Sequence, residues 1–173
     1  MPQQNNTFWY DTPRDMLAKL DREIKSLPTI DRLDNHRKAD TVLNAAITAW
    51  QISDWVKASI SDEQRMRVSI ACGGCIVDDQ FLDKYFRASP NVHFCRQIAT
   101  AGKHANIRNH HDPYVKTLAA LVFDFDAELP ALEWMISVDH KGTSVPVKDV
   151  LCGAYDFWCG FLDLTDGIVT PKT

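Results

Sequence analysis

Apolar positions recur at helical spacing along most of this chain, and capping residues, glycines and prolines mark where each run starts and stops. Met16, Leu17, Leu20, Ile24 and Leu27 predict a first helix from Pro13 to about Leu27. Thr12 is placed to cap it, and Pro13 suits the first helical position, where its missing N–H is not needed. A second, longer helix is predicted from about Asp34 to Ile60, with an apolar stripe of Val42, Leu43, Ala46, Ala49, Trp50, Ser53, Val56 and Ile60. Asp40, Asn44, Thr48 and Gln51 form a polar side, facing either solvent or a polar seam. "SDEQ" is a capping box with Ser61 as cap and Gln64 reaching back, and Gly73 with Gly74 stops the short helix it opens.

"DDQFLDKYF" predicts a further short helix with Phe81, Leu82, Tyr85 and Phe86 turned inward. Ser89 and Pro90 start the next one, which must end near Asp112 because Pro113 follows. The period then changes. "LVFDFD" alternates, "LEWMISVD" is strand-like, and "DHKG" offers a turn before "TSVPV", as in a β hairpin or small meander. A last helix from about Val147 to Leu164 carries Gly153 and Gly160 on one face, where another backbone can approach closely. The fold class is mainly α: a helical bundle with a small antiparallel β hairpin inserted before the C-terminal helix.

Composition narrows the picture. The chain has 173 residues, 45% of them hydrophobic and 24% charged, which suits a single helical domain over 1–173 with its own core and flexible ends at 1–10 and 167–173. Trp9, Trp50, Trp55, Trp134 and Trp158 are spread as core anchors would be. The formal net charge of −4 argues against a general nucleic-acid coat, although a local basic patch can still hold a phosphate backbone. Neither a bilayer-length apolar run nor a signal-peptide pattern is present, so a cytoplasmic location, no membrane partner and reduced thiols at all five cysteines are expected.

The candidate chemistry lies in "CRQIATAGKHANIRNHHD", residues 95–112. On a helical wheel Phe94, Cys95, Ile98, Ala99, Ala101, Gly102 and Ala105 gather on one side. His93, Arg96, Gln97, Thr100, Lys103, His104, Arg108 and His111 gather on the other. A histidine can move a proton near neutral pH, and an arginine can grip a phosphate and stabilise charge in the transition state. The same row also serves as the wet side of a packed helix.

A competing reading draws on "CGGC". Cys72 and Cys75 have zinc-knuckle or redox spacing, and His93 with Cys95 would complete four ligands. No second such pair exists, however, and Cys95 falls on the apolar side of its helix. "HHD" at 110–112 is metal-like only on paper, because adjacent side chains of a helix point apart. No cofactor is expected, since phosphate-loop, dinucleotide and nucleophile-elbow motifs are missing.

Two stretches, "KADTVLNAAITAWQISDWV" and "CRQIATAGKHANI", together with "YDFWCGFLDL", resemble a family of small bacterial and phage-borne helical proteins. That resemblance covers most of the chain after about residue 35. More distantly, the plan resembles the HEPN helical domains (higher eukaryotes and prokaryotes nucleotide-binding), many of them metal-independent ribonucleases of toxin and antiviral systems. Active members carry an arginine followed within a few residues by a histidine, often at a dimer interface. The resemblance implies an RNA-cleaving or RNA-binding protein of toxin or defence type that works as a homodimer. Arg96 and His104 would be its catalytic pair, with Lys103, Arg108 and Asp54 supporting. Seven residues separate Arg96 from His104, one more than the family pattern allows. The alternative is a non-catalytic helical protein serving self-association or partner binding.

Overall fold

The computed structural model of the protein describes residues 9–103, 112–124 and 131–168. Among them the elements run α1 (Pro13–Ser26), a short 3-10 turn (Leu27–Thr29), α2 (Asn35–Ser59), α3 (Asp62–Ala71), α4 (Asp79–Ala88) and α5 (Pro90–Lys103). Then follow β1 (Val115–Asp124), β2 (Ala131–His140), β3 (Thr143–Pro146) and α6 (Val147–Asp166). The fold is mainly helical, with a three-stranded antiparallel sheet in the order β1-β2-β3 before the last helix. Of the two arrangements expected, hairpin or small meander, the sheet is the meander. No helix of the described residues is long and apolar enough to cross a membrane.

The capping signals work as their residue types require. Thr12 accepts from the Asp15 backbone while the Asp15 carboxylate reaches back, a reciprocal box that satisfies orphan N–H groups at the start of α1. Ser61 and Gln64 do the same for α3. α6 ends at Gly167, whose φ of 72° is the left-handed geometry that glycine adopts without a Cβ penalty. Lys141 and Gly142, at φ 55° and 83°, make the two-residue turn between β2 and β3.

α2 lies in the middle of the bundle, with Ala45, Ala46, Ala49 and Ile52 fully buried. Its polar side is a seam rather than a solvent face around Thr48. That hydroxyl is buried and accepts from the Lys19 ammonium of α1, which also pairs with Glu23. Phe86 of α4 meets Trp158 and Phe161 of α6 in an aromatic cluster, with Phe86 and Trp158 centroids 4.8 Å apart, and Leu82 of α4 is buried in the same core. Of the five tryptophans only Trp158 is fully buried, and Trp9 is 74% exposed. The sheet docks through Val138, which is buried, and through Ile136 and Val145. The half of β2 distant from the turn is tied to the bundle by Lys38, whose ammonium donates to Glu133 at 2.7 Å and to the Trp134 carbonyl at 3.1 Å.

The two glycines of α6 differ. A Cβ on Gly153 would lie 2.0 Å from the Asn91 amide nitrogen of α5, whereas one on Gly160 meets nothing within 4 Å. Close approach is therefore used inside the fold at one position and unused at the other. Gly160→Ala should raise stability by about 0.5–1 kcal/mol through helix propensity alone. Gly153→Ala should lose stability, and the loss should vanish in an Asn91→Ala background. Urea unfolding of the four variants as a double-mutant cycle checks this.

Candidate active site

α5 carries the candidate chemistry and packs on α2 and α6 through Val92, Phe94, Cys95, Ile98 and Ala99, all buried. Two positions depart from the helical wheel. Gln97 is buried, because residue 112 returns across it and donates its backbone N–H to the Gln97 Oε1 at 3.3 Å. Ala101 is exposed although it shares the apolar side of the wheel. Gly102 does abut α2 closely: a Cβ there would lie 2.6 Å from Leu43 Cδ1.

The polar residues of α5 separate into two groups. Arg96 lies over the Trp50 ring of α2, with its guanidinium carbon 5.6 Å from the ring centroid. Burial and the neighbouring Arg87 lower its proton affinity, and Asp83 opposes them. An arginine keeps its charge under such pressure, so the site is a cation stacked on an indole. His93 belongs to the other group. Its Nε2 is 3.1 Å from Asp112 Oδ2, and His140 Nε2, from the end of β2, is 3.7 Å from the same oxygen. The His140 ring also packs edge-on against Phe94.

Asp112 is the hub of this cluster. Its Oδ1 accepts the Tyr114 backbone N–H at 3.0 Å, and its own carbonyl accepts from the Val115 backbone at 3.2 Å. The backbone bond from Tyr114, then the contact with His93 and the charges of both imidazoles, hold the Asp112 carboxyl below its ordinary value. A carboxylate only accepts, so Nε2 of a bonded, neutral His93 must carry the proton, which leaves Nδ1 as a base. Beside the cluster the Lys141 ammonium sits 5.5 Å from the centre of the Tyr114 ring. The arrangement is two imidazoles around one orienting carboxylate, each between 23% and 32% exposed, with a cation and an aromatic ring next to them.

The other sequence candidates lie elsewhere. Asp54 pairs with Lys57 at 3.1 Å on α2, and Lys57 also holds Asp83 at 3.0 Å, so Asp54 serves a local ion-pair network. Lys103 is the last residue of α5. His104 and Arg108 fall outside the described residues. The zinc alternative is not assembled. Cys95 is fully buried with its thiol pushed up to about 12 by desolvation, and His93 turns to Asp112. Among the described residues no group of three or more His, Cys, Asp or Glu side chains is arranged to hold a metal ion. All five cysteines are unpaired. Two depressions, of about 350 Å³ beside Arg14 and about 300 Å³ between α2, α5 and β1, are not lined by any histidine.

Sequence reasoning missed His140, which lies in the "DHKG" turn signal, and gave Asp112 of "HHD" no role beyond a discounted metal-like stretch. Their meeting depends on where the sheet docks, and no local spacing encodes that.

Asp112→Ala should cost about 1–2 kcal/mol near neutral pH, since it removes a charge-assisted contact and a turn bond. Because the folded-state value is depressed, the stabilisation from ionised Asp112 is fully present above the ordinary carboxylate value of 3.8. It is lost as pH falls through the lowered folded value. The stability gap between wild type and Asp112→Ala should therefore narrow as pH falls below about 4, as followed by urea unfolding across the acid range.

No protein-family model, curated protein or solved structure matches this chain.

Proposed function

We propose that this protein cleaves RNA without a metal ion, with His93 and His140 as the proton acceptor and donor. The observation that carries the reading is the convergence of both Nε2 atoms on Asp112 Oδ2 at 3.1 and 3.7 Å, at the foot of the polar side of α5. In the proposed reaction one neutral imidazole takes the ribose 2′-hydroxyl proton, and the resulting alkoxide attacks the adjacent phosphorus. The bond to the 5′-oxygen breaks, and the second imidazole, protonated, gives its proton to that leaving oxygen. A 2′,3′-cyclic phosphate and a 5′-hydroxyl result, with no outside reactant. Asp112, rather than Asp54, orients the bases.

Arg96 is the phosphate-holding cation in this reading, and its stack on Trp50 offers a flat surface next to which an unpaired base can lie. His104 is a further proton carrier, and Lys103 and Arg108 add positive charge along the same stretch. RNA is the partner this reading names, with a cytoplasmic HEPN-like protein of toxin or defence type, acting as a homodimer, as its setting. The distant resemblance of the overall helical plan to HEPN domains supports it as well, although the spacing from Arg96 to His104 departs from the pattern of their active members.

Purified protein incubated with a mixed RNA pool and chelator should release fragments with 2′,3′-cyclic phosphate ends. His140→Ala and His93→Ala should each slow the reaction by about 10²-fold or more, with a bell-shaped pH dependence in the wild type. Folded wild-type protein that leaves the pool intact under these conditions would sink the proposal. Wild-type activity in both variants would overturn the roles of His93 and His140 and move the chemistry to His104.

A further inference from the structure

We propose that the free edge of β1 pairs antiparallel with the β1 edge of a second copy of this chain, centred on Ala120, to form a continuous six-stranded sheet. The inference rests on the strand alone and stands whether or not RNA is cleaved.

Hydrogen-bond alternation identifies which groups of β1 point away from the sheet. β1 and β2 pair without interruption from Val115↔His140 to Asp124↔Ala131. Within that ladder Trp134 spends both backbone groups elsewhere: its N–H donates to the Arg32 carbonyl at 3.0 Å, and its carbonyl accepts from Lys38 at 3.1 Å. Leu121↔Trp134 is therefore a non-hydrogen-bonded pair, and alternation makes the other odd positions of β1 non-bonded too. Val115 agrees, since its N–H goes to the Asp112 carbonyl. Thr117, Ala119 and Leu121 thus direct N–H and C=O outward, and among the described residues no strand takes them up.

An edge of this kind is one that proteins normally blunt with charges, proline or a bulge. β1 has none of these between its ends: "TLAALVF" at 117–123 is uncharged and paired in continuous register. Leu118 is 47% exposed and Leu121 46% exposed.

The sequence of the strand fits itself. Lys116 and Asp124 stand at equal distances on either side of Ala120. A two-fold through Ala120 sets Lys116 opposite Asp124 of the second copy, twice. It also sets Leu118 opposite Val122, and Ala120 opposite itself. In this register the outward groups of Ala119 meet those of Leu121, and those of Thr117 meet those of Phe123, so every bonded pair joins odd positions. Lys116–Asp124 becomes a non-bonded pair. Shifting the centre to Ala119 or Leu121 sets Lys116 or Asp124 against an apolar position. Parallel in-register pairing sets lysine beside lysine. Within Val115–Asp124 charge therefore favours the Ala120 centre and a second copy of the same strand, since a centre on Leu121 sets Lys116 opposite position 126, beyond the end of β1. On the face opposite Val138, the exposed Leu118 and Met135 of each copy would border the small Ala120 pair.

Sedimentation of the full-length protein over a range of concentrations tests the pairing. Wild type should dimerise. Lys116→Asp should weaken the dimer by roughly tenfold, and Lys116→Asp with Asp124→Lys should restore it. Ala119→Pro removes an outward N–H that β2 does not use, so it should abolish the dimer and leave the circular dichroism spectrum unchanged. Under mild oxidation Ala120→Cys should give a disulfide-linked dimer, whereas Leu118→Cys should give no more than the wild type with its five native thiols. A wild type that stays monomeric overturns the proposal. So does a dimer indifferent to both Lys116→Asp and Ala119→Pro, which would place the contact elsewhere. RNA cleavage assayed on the monomeric variants separates this surface from the imidazole site.

Discussion

α2 can contact α1, α4, α5 and α6 only because its most crowded positions carry almost no side chain. Ala45, Ala46 and Ala49 are fully buried, so neighbouring helices approach the α2 backbone closely while Ile52 and Val56 fill the wider space beyond. A close-packed interior resists extra methylenes at such points, since they must be absorbed by shifted backbones. The same spacing forces a polar compromise on the α1 side. Thr48 is buried there, and it is satisfied because Lys19 bends across to it and to Glu23. The other Glu23 oxygen is buried and finds no partner among the described residues. Positions for α5, and hence for His93 and Arg96, follow from this central helix.

The second support is aromatic. Phe86, Phe157, Trp158 and Phe161 meet at centroid distances of 4.8 to 6.5 Å, mostly tilted or edge-to-face, joining α4 to α6. The Trp158 indole N–H is buried without a partner among the described residues. An unsatisfied donor costs about 1–3 kcal/mol. Burying about 200 Å² of aromatic surface contributes roughly 5 kcal/mol, so the indole remains a net gain. Packing wins over polar satisfaction at this position.

Most of the fold is legible in the sequence because its signals are local. Thr12 with Asp15, Ser61 with Gln64, and Lys141 with Gly142 each act within a few residues, and the structure places helix ends and a turn where they fall. β1 is less legible. It begins at Val115, well before the alternating "LVFDFD", because "TLAA" has weak strand preference and is held extended by pairing with β2. The site is the least legible part. A wheel assigns Gln97 to the solvent side, yet the return of residue 112 covers it. His93, Asp112 and His140 meet only once β2 docks beside α5. Arg96 is legible as a polar residue of α5, but its seat on Trp50 comes from the packing of α5 against α2.

The location of the imidazole cluster has a consequence for its behaviour. His93 belongs to the bundle, His140 to the sheet, and Asp112 to the connection between them, so the site spans the seam of two structural layers. The bundle keeps its own core of α1, α2, α5 and α6, whereas the sheet leaves Leu118, Leu121, Leu132 and Met135 between 42% and 47% exposed. Less apolar burial means a lower local opening energy, so the sheet is the part that opens at the smaller cost. Each such opening separates His140 from His93 while the helices stay packed. Whatever covers the outer face or edge of the sheet therefore also holds the two imidazoles together, and the geometry of the site depends on a surface that contributes no residue to it.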